Sequence, residues 1–151
     1  MPPTIVEPKP GLDMGRVVVS ITISNRDDLD RVERGEMAED QVRRVTTDAL
    51  VDSGATFLSM PESMIKRLGL TFNRTRDSRI VTGVIRSNVY HTAWLDVEGR
   101  AASVEVLGLP EGAQVLLGQI PLETLDYWID MTNRRLIGNP EHGGEWMSEV
   151  F

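Results

Sequence analysis

The residues best placed to do chemistry lie in one short stretch, DSGAT from Asp52 to Thr56, which directly follows the apolar pair Leu50 and Val51. A carboxylate at the end of an apolar strand can act as a general acid or general base. Asp, Ser and Gly also form turns readily, so the same residues could simply end a strand. The motif alone leaves both interpretations open.

Other arrangements of reactive residues find little support. The chain has no cysteine, which excludes disulfides, zinc thiolate sites and thiol catalysis. The two histidines, His91 and His142, have no helical His-x-x-x-His spacing, so no metal is expected. A Ser-His-Asp triad could draw on Ser53 or Ser59 with His91, but no Gly-x-Ser-x-Gly elbow is present. No phosphate-binding Gly-x-x-x-x-Gly-Lys loop exists either.

The order of motifs resembles that of the retroviral-like aspartic proteases, which include the retropepsins and the DNA-damage-inducible protease domain. The stretch Asp52 to Thr56 is similar to the active-site motif of that family. Downstream come a short helix ending in LGL at residues 68–70, a hairpin where the family has its flap, and Leu116-Leu117-Gly118, which matches two hydrophobic residues followed by glycine. A short helix and a last hairpin follow. The resemblance covers Met14 to Gly138.

The resemblance implies an aspartic endopeptidase that needs no metal or organic cofactor. In this class of enzymes two carboxylates share one proton and one water, because like charges a few Å apart cannot both ionise. One carboxylate takes a proton from the water and the other polarises the scissile carbonyl. Since the chain has one such motif, the second Asp52 would come from a second chain in a two-fold homodimer.

The resemblance also assigns roles to the neighbours of Asp52. Gly54 would let the backbone pass close to the carboxylate and donate an N–H to it. Ser53 stands where Thr is commoner, and its hydroxyl would form a hydrogen bond across the dimer axis. Thr56 would support the loop, and the apolar Ala55 would border the substrate cleft. Leu116 and Leu117 would pack beneath the loop.

The candidate flap is the stretch Thr82-Gly83-Val84-Ile85-Arg86, with Thr82, Gly83, Val84 and Ile85 as the substrate-binding candidates. A flap of this family closes over the substrate and excludes water. The substrate would be an extended peptide that adds a strand to the flaps. The apolar side chains predict a preference for apolar residues in the peptide. The stretch contains one glycine, whereas retropepsin flaps contain more.

The elements that must position these residues are predicted to be mainly strands, as in a retropepsin-like half-barrel with one or two short helices. β-Branched and alternating stretches predict strands at 16–24, 42–51, 101–107 and 115–118, and hairpins at 79–96 and 127–138. The first hairpin is predicted to have a polar tip near Gly83 to Asn88. Helices are predicted at 59–68 and 121–125.

Two further local predictions depend on polar residues. Ser59-x-x-Glu62 has the spacing of a capping box, and Gly69 is a suitable residue to end that helix. The charged stretch from Asn25 to Gln41 is predicted to be a solvated surface loop that can include a short helical turn. The segments ALVDSG at 49–54 and AQVLLG at 113–118 share three residues in register, which would fit a domain built from two related halves.

Length and charge set the outer limits. A chain of 151 residues predicts one domain, with a Pro-rich lead-in at 1–13, the protease domain at 14–139 and a C-terminal tail at 140–151. The formal charge of −7 argues against nucleic acid as a partner. Without a signal sequence or a long apolar run, a cytoplasmic protein with no membrane partner is expected. Dimer contacts are expected from 127–138 and 146–151.

Two alternatives remain open at this level. The first is a dimeric module that binds or scaffolds peptides without useful proteolysis, because a fold does not settle a function. The second is a monomeric β-barrel binding domain with no relation to proteases, which would stay a monomer in solution.

Overall fold

The computed structural model describes residues 16–146, and the predictions for 1–13 and 147–151 lie outside this range. The described chain is mainly β, as predicted. Its strands are β1 Val18–Asn25, β2 Arg44–Val51, β3 Leu58–Pro61, β4 Thr71–Ile80, β5 Gly83–Val97, β6 Arg100–Leu109, β7 Leu116–Leu117, β8 Tyr127–Asp130 and β9 Arg135–Gly138. Its α-helices are α1 Arg26–Glu33, α2 Glu62–Leu68 and α3 Gln119–Thr124, with 3₁₀ turns at Glu39–Gln41 and Pro140–His142.

Seven strands form one sheet in the order β1-β2-β7-β3-β6-β5-β4, and β1 also pairs with β5. This second pairing closes six strands into a ring, while β4 extends outward as the partner of the first half of β5. Side chains alternate along a strand, so every second residue of the ring points inward and forms the core. The largest fully buried side chains include Ile21, Ile23, Leu58, Met60, Leu95 and Leu117.

The prediction of a solvated loop at 25–41 was wrong for Arg26–Glu33, which form the two-turn helix α1. The side chain of Asn25 accepts a hydrogen bond from the Asp28 N–H at 3.0 Å and caps the helix. Asp28 is fully buried, and its carboxylate accepts bonds from the Arg43 guanidinium at 2.8 and 2.9 Å and from the Arg43 backbone N–H at 3.0 Å. In a stretch with so many charged residues, the sequence does not show that one carboxylate, that of Asp28, faces inward.

Asp28 is expected to contribute to stability in a pH-dependent way. The Arg43 guanidinium lowers the pKa of the Asp28 carboxyl in the folded chain, below its unfolded value of about 3.9. The stabilisation is therefore complete above that value and is lost as the pH falls through the folded pKa. We expect Asp28→Asn to lower the free energy of unfolding by about 2 kcal/mol at pH 7, and by less at pH 3, in urea titrations.

The matched control for this prediction is Asp30→Asn on the same helix. Asp30 forms an ion pair with Arg26 at 3.2 Å that is partly open to solvent, and such surface pairs contribute little. Asp30→Asn should therefore change the free energy of unfolding by less than about 1 kcal/mol. Equal losses in the two variants would contradict the account of Asp28.

The predicted capping box at the start of α2 was also wrong. Ser59 is buried within β3, which pairs with β6 on one side and β7 on the other, so strand pairing extends the chain as far as Pro61. The helix begins at Glu62 with Pro61 as its N-cap and no side-chain cap. The predicted C-terminus is confirmed, since Gly69 adopts the left-handed conformation with φ of 65°.

The first hairpin has its turn earlier than predicted. Ile80 pairs with Gly83, so Val81 and Thr82 form the tip, and the polar residues 86–88 lie inside β5. The cross-strand ion pair between Asp77 and Arg86, at 2.8 Å, joins two directly paired residues and agrees with this register. The last hairpin is confirmed, with β8 and β9 paired antiparallel. None of the helices between residues 16 and 146 has the length and apolar character that a membrane crossing requires.

Candidate active site

Asp52 stands at the point where β2 leaves the sheet. The buried residues Ala49 and Val51 anchor the strand in the core. The Asp52 N–H still donates to the Leu117 carbonyl at 3.0 Å, so its backbone belongs to the sheet while its side chain is half-buried. The strand therefore delivers a carboxylate to the edge of the core without burying it.

A tight turn holds the carboxylate. The Gly54 N–H donates to Asp52 Oδ1 at 2.9 Å, which is the contact that the resemblance predicts. The Ala55 N–H donates to the Asp52 carbonyl at 3.1 Å and closes the turn. The orientation of the carboxylate is thus set by backbone groups of its own loop. The motif therefore forms a turn that ends the strand, and the same turn holds the Asp52 carboxylate in a fixed orientation.

The loop that carries Asp52, residues 52–57, is fixed from below by the start of α3. The Gln119 N–H donates to the Ala55 carbonyl at 2.8 Å, and the Ile120 N–H donates to the Thr56 carbonyl at 3.0 Å. These are N–H groups at the start of a helix that have no partner within it. They satisfy the loop carbonyls instead, so the loop and the helix hold each other in place.

Gly118 makes this contact possible. A Cβ atom on this residue would lie 2.4 Å from the Phe57 carbonyl oxygen and 2.7 Å from that of Ala55. Both are backbone atoms and cannot move away as a flexible side chain can. The glycine of the Leu116-Leu117-Gly118 signature therefore serves close packing under the Asp52 loop, since its own φ of −92° suits any residue.

The two segments with shared residues lie side by side. β2 and β7 run parallel, with Leu50 beside Leu116 and Val51 beside Leu117. Each strand leads into a turn at the same end of the pair, but only the first turn carries a carboxylate. Leu117 is fully buried, and its carbonyl accepts the Asp52 N–H, so this residue packs beneath the loop as expected.

The hydroxyls of Ser53 and Thr56 have no hydrogen-bond partner within residues 16–146. Ser53 is half-buried and Thr56 is exposed. Thr56 holds the loop through its backbone carbonyl, which accepts the Ile120 N–H, and not through its side chain. The Ser53 hydroxyl remains available to a group outside the chain.

The tip of the β4–β5 hairpin is apolar and exposed. Ile80, Val81, Val84 and Ile85 are 43%, 105%, 63% and 48% exposed. Gly83 has φ of 140°, which favours glycine in the turn. Because side chains alternate, Val84 and Ile85 point to opposite faces of β5. A peptide covered by this hairpin can contact only one of them.

Arg76 shows which face of the hairpin meets the Asp52 loop. Its guanidinium lies over the ring of Phe57 with the carbon 5.0 Å from the ring centroid. Arg76 pairs with Ser87, and Ser78 pairs with Ile85, so Ile85 shares the face of Arg76. Ile85 therefore faces the side of the Asp52 loop, and Val84 faces away from it.

A second polar cluster, which sequence reasoning missed, surrounds Glu62. Its carboxylate accepts a short bond from the Tyr90 hydroxyl and a bond from Asn88 Nδ2 at 3.3 Å. Burial, together with this bond to Glu62, raises the pKa of Tyr90. Two surface clefts of about 620 and 280 Å³ adjoin Glu62, and Asp52 lines neither. The cluster forms because α2 lies against β5. No local sequence pattern indicates that contact, so the cluster could not be predicted from the sequence.

His142 makes a structural contact near the end of the described chain. Its Nδ1 lies 2.6 Å from Asp126 Oδ2, and Asn139 Nδ2 donates to the other oxygen of that carboxylate at 3.1 Å. Within residues 16–146, no group of three or more histidine, aspartate or glutamate side chains could hold a metal ion. Ser59, a candidate nucleophile of a Ser-His-Asp triad, is buried in β3 and is not accessible to a substrate.

Comparison with known proteins agrees with this architecture. The family model described as "gag-polyprotein putative aspartyl protease" matches residues 38–124, more than half of the chain. The match includes the Asp52 loop, the hairpin, β7 and all of α3. A search of curated proteins finds no match. The chain therefore belongs to this family of retropepsin-like aspartyl proteases.

Proposed function

We propose that this protein is a homodimeric aspartic endopeptidase in which Asp52 from each of two chains shares one water and one proton. The observation that carries the proposal is the geometry of the Asp52 loop. Its carboxylate is half-buried, accepts the Gly54 N–H, and sits on a loop whose carbonyls are fixed by α3. Membership of the aspartyl protease family supports proteolysis as the general class of activity.

The chemistry follows from two carboxylates held close together. One of them is ionised and the other is protonated, because two like charges at such a distance cannot both persist. The ionised carboxylate takes a proton from the water as the water oxygen bonds to the scissile carbonyl carbon. The protonated carboxylate donates a hydrogen bond to the carbonyl oxygen. The carbon–nitrogen bond then breaks, and the leaving amine receives a proton from the dyad.

Two features support a dimer as the active form. The described chain contains one Asp-Ser-Gly motif, so a second carboxylate must come from another chain. The half-buried Ser53 hydroxyl has no partner within residues 16–146 and can form a hydrogen bond across a two-fold axis. Isologous dimers of this kind are the commonest oligomers. The β8–β9 hairpin is a candidate for part of the interface.

The substrate is proposed to be an extended peptide that lies between the Asp52 loops and the hairpins. An extended peptide can pair with strand edges through its backbone. The exposed side chains of Ile80 and Ile85 lie on the hairpin face that meets the Asp52 loop. Covering a peptide would remove them from water, which favours apolar residues near the scissile bond.

The proposal is tested by incubating the purified chain with a mixed peptide library between pH 4 and 7.5 and reading the products by mass spectrometry. Cleavage next to apolar residues, blocked by a transition-state mimic such as pepstatin, is the expected result. A well-folded dimer that cleaves nothing would contradict endopeptidase activity. Binding of library peptides without cleavage would instead favour the peptide-binding module, in which the apolar hairpin tip would bind peptides without hydrolysing them.

Dimerisation is expected to depend on pH. The formal charge is −7 with 23 carboxylates, and two chains of like charge repel each other. Partial protonation at pH 5 reduces this repulsion, so we expect a dimer constant several-fold tighter at pH 5 than at pH 7.5 in sedimentation equilibrium. Added salt should reduce the difference, because it screens exposed charges. Equal dimer constants at the two pH values in low salt would contradict this expectation.

A further inference from the structure

The β4–β5 hairpin carries positive charge on an acidic protein. Between Thr71 and Asn88 there are four arginines and one aspartate, a formal charge of +3, whereas the whole chain carries −7. Charge of one sign beside a cleft attracts ligands of the opposite sign. The hairpin is also the arm that would cover a peptide, so its charge bears on which peptides are bound.

Two of the four arginines are neutralised within the chain. Arg74 forms an ion pair with Glu105, and Arg86 forms one with Asp77. Arg76 and Arg79 are exposed and have no ion pair or hydrogen bond within residues 16–146. They are therefore the two hairpin cations available to a bound ligand.

Strand alternation separates these two arginines. Arg79 pairs with Val84 and Arg76 pairs with Ser87, so the two arginines point to opposite faces of the hairpin. Only Arg76 lies on the face that meets the Asp52 loop, where its guanidinium rests on the Phe57 ring. The ring holds one face of the guanidinium, which leaves the in-plane N–H groups free for a carboxylate.

The position of Phe57 limits the distance to the reacting bond. It follows Asp52 by five residues, which span at most about 17 Å of extended chain. A bound peptide advances about 3.3 Å per residue. We propose that Arg76 forms a subsite for an acidic side chain of the peptide, within about five residues of the scissile bond. This inference rests on the proposed function, and in a homodimer the two copies of Arg76 would select acidic residues on both sides of the bond.

The test uses peptides with one apolar scissile pair and Glu, Gln or Lys at each position from the fifth before the bond to the fifth after it. The native chain should show kcat/KM about tenfold higher for Glu than for Gln at one position or more, as expected for a charge-assisted hydrogen bond. Arg76→Gln should reduce that ratio to about one. Arg76→Glu should instead cleave the Lys peptide faster than the Gln peptide at that position.

Arg79→Gln is the matched control, because it removes the same charge from the opposite face of the same strand. It should keep the Glu-to-Gln ratio of the native chain. An equal loss of the ratio in both variants would overturn the subsite, since it would show a general effect of charge. Absence of any preference for Glu in the native chain would overturn it as well.

A binding experiment separates this inference from the proposed activity. The Asp52→Asn variant is titrated against the same fluorescent peptides, and the Kd for each is read by anisotropy. Tighter binding of Glu peptides than of Gln peptides, lost on adding Arg76→Gln, supports the subsite even if the native chain cleaves nothing. Equal Kd values for the two peptides overturn the subsite even if the native chain is an active protease.

Discussion

Replacing Asp52 by Asn is expected to lower kcat for peptide cleavage by about a thousandfold, because the amide can neither take a proton from water nor share one with its partner. The fold should survive the change. The Asn oxygen can still accept the Gly54 N–H, which donates to Asp52 Oδ1 at 2.9 Å in the native loop. The variant should therefore keep the thermal midpoint and the dimer constant of the native chain, and steady-state kinetics would show a loss in kcat.

Asp48→Asn provides a matched control for this experiment. Asp48 is exposed and lies on the same strand, four residues before Asp52. The substitution removes one carboxylate from β2 but leaves the loop unchanged, so kcat should stay within about twofold of the native value. Comparable losses from both variants would mean that general charge, rather than the position of Asp52, controls the reaction.

Replacing Gly118 by Ala is expected to destabilise the fold by about 3 kcal/mol and to reduce activity in the fraction that folds. The new Cβ would lie 2.4 Å from the Phe57 carbonyl oxygen and 2.7 Å from the Ala55 carbonyl oxygen. The Asp52 loop must then shift away from α3, which breaks the bonds from Gln119 and Ile120 to its carbonyls. Urea titration gives the change in stability, and kcat/KM gives the effect on the site.

Gly35→Ala is the control that shows whether the loss of stability in Gly118→Ala comes from a steric clash or from backbone strain. Gly35 has φ of +76°, and no atom lies within 4 Å of the position that a Cβ would take, so its substitution costs only backbone strain of about 1 kcal/mol. Gly118 has an ordinary φ, so its cost must come from contact with the loop. A Gly118→Ala variant that is as stable as the Gly35→Ala variant would show that the Asp52 loop is not held in the proposed way.

Much of the fold could be predicted because its signals are local. Alternating β-branched residues mark β1 and β6, and Gly69 marks the end of α2. The Asp52 motif predicted a turn and the Leu116-Leu117-Gly118 signature predicted a strand packed beneath it, although the two are about 60 residues apart in the chain. The parallel pairing of β2 with β7 brings them together.

The failures share one physical cause, which is pairing between residues that are distant in sequence. From the sequence, Asp28 is expected to be a solvated charge; its partner Arg43 is 15 residues away and is brought beside it only by the fold. Ser59 has the spacing of a helix cap, but strand pairing with β7 keeps it in β3. The hairpin tip lies at Val81 and Thr82 because the ladder of β4 with β5 fixes the turn. No local pattern encodes these partners.

The most direct test of the central claim is to mix the native chain with Asp52→Asn at equal concentrations, allow the chains to exchange, and measure cleavage. If the dyad needs one Asp52 from each chain, heterodimers are inactive, and random pairing leaves about a quarter of the dimers active. Activity should then fall to about a quarter of that of the same total amount of native protein. A fall to only about half would mean that each chain acts alone, and would contradict the shared dyad.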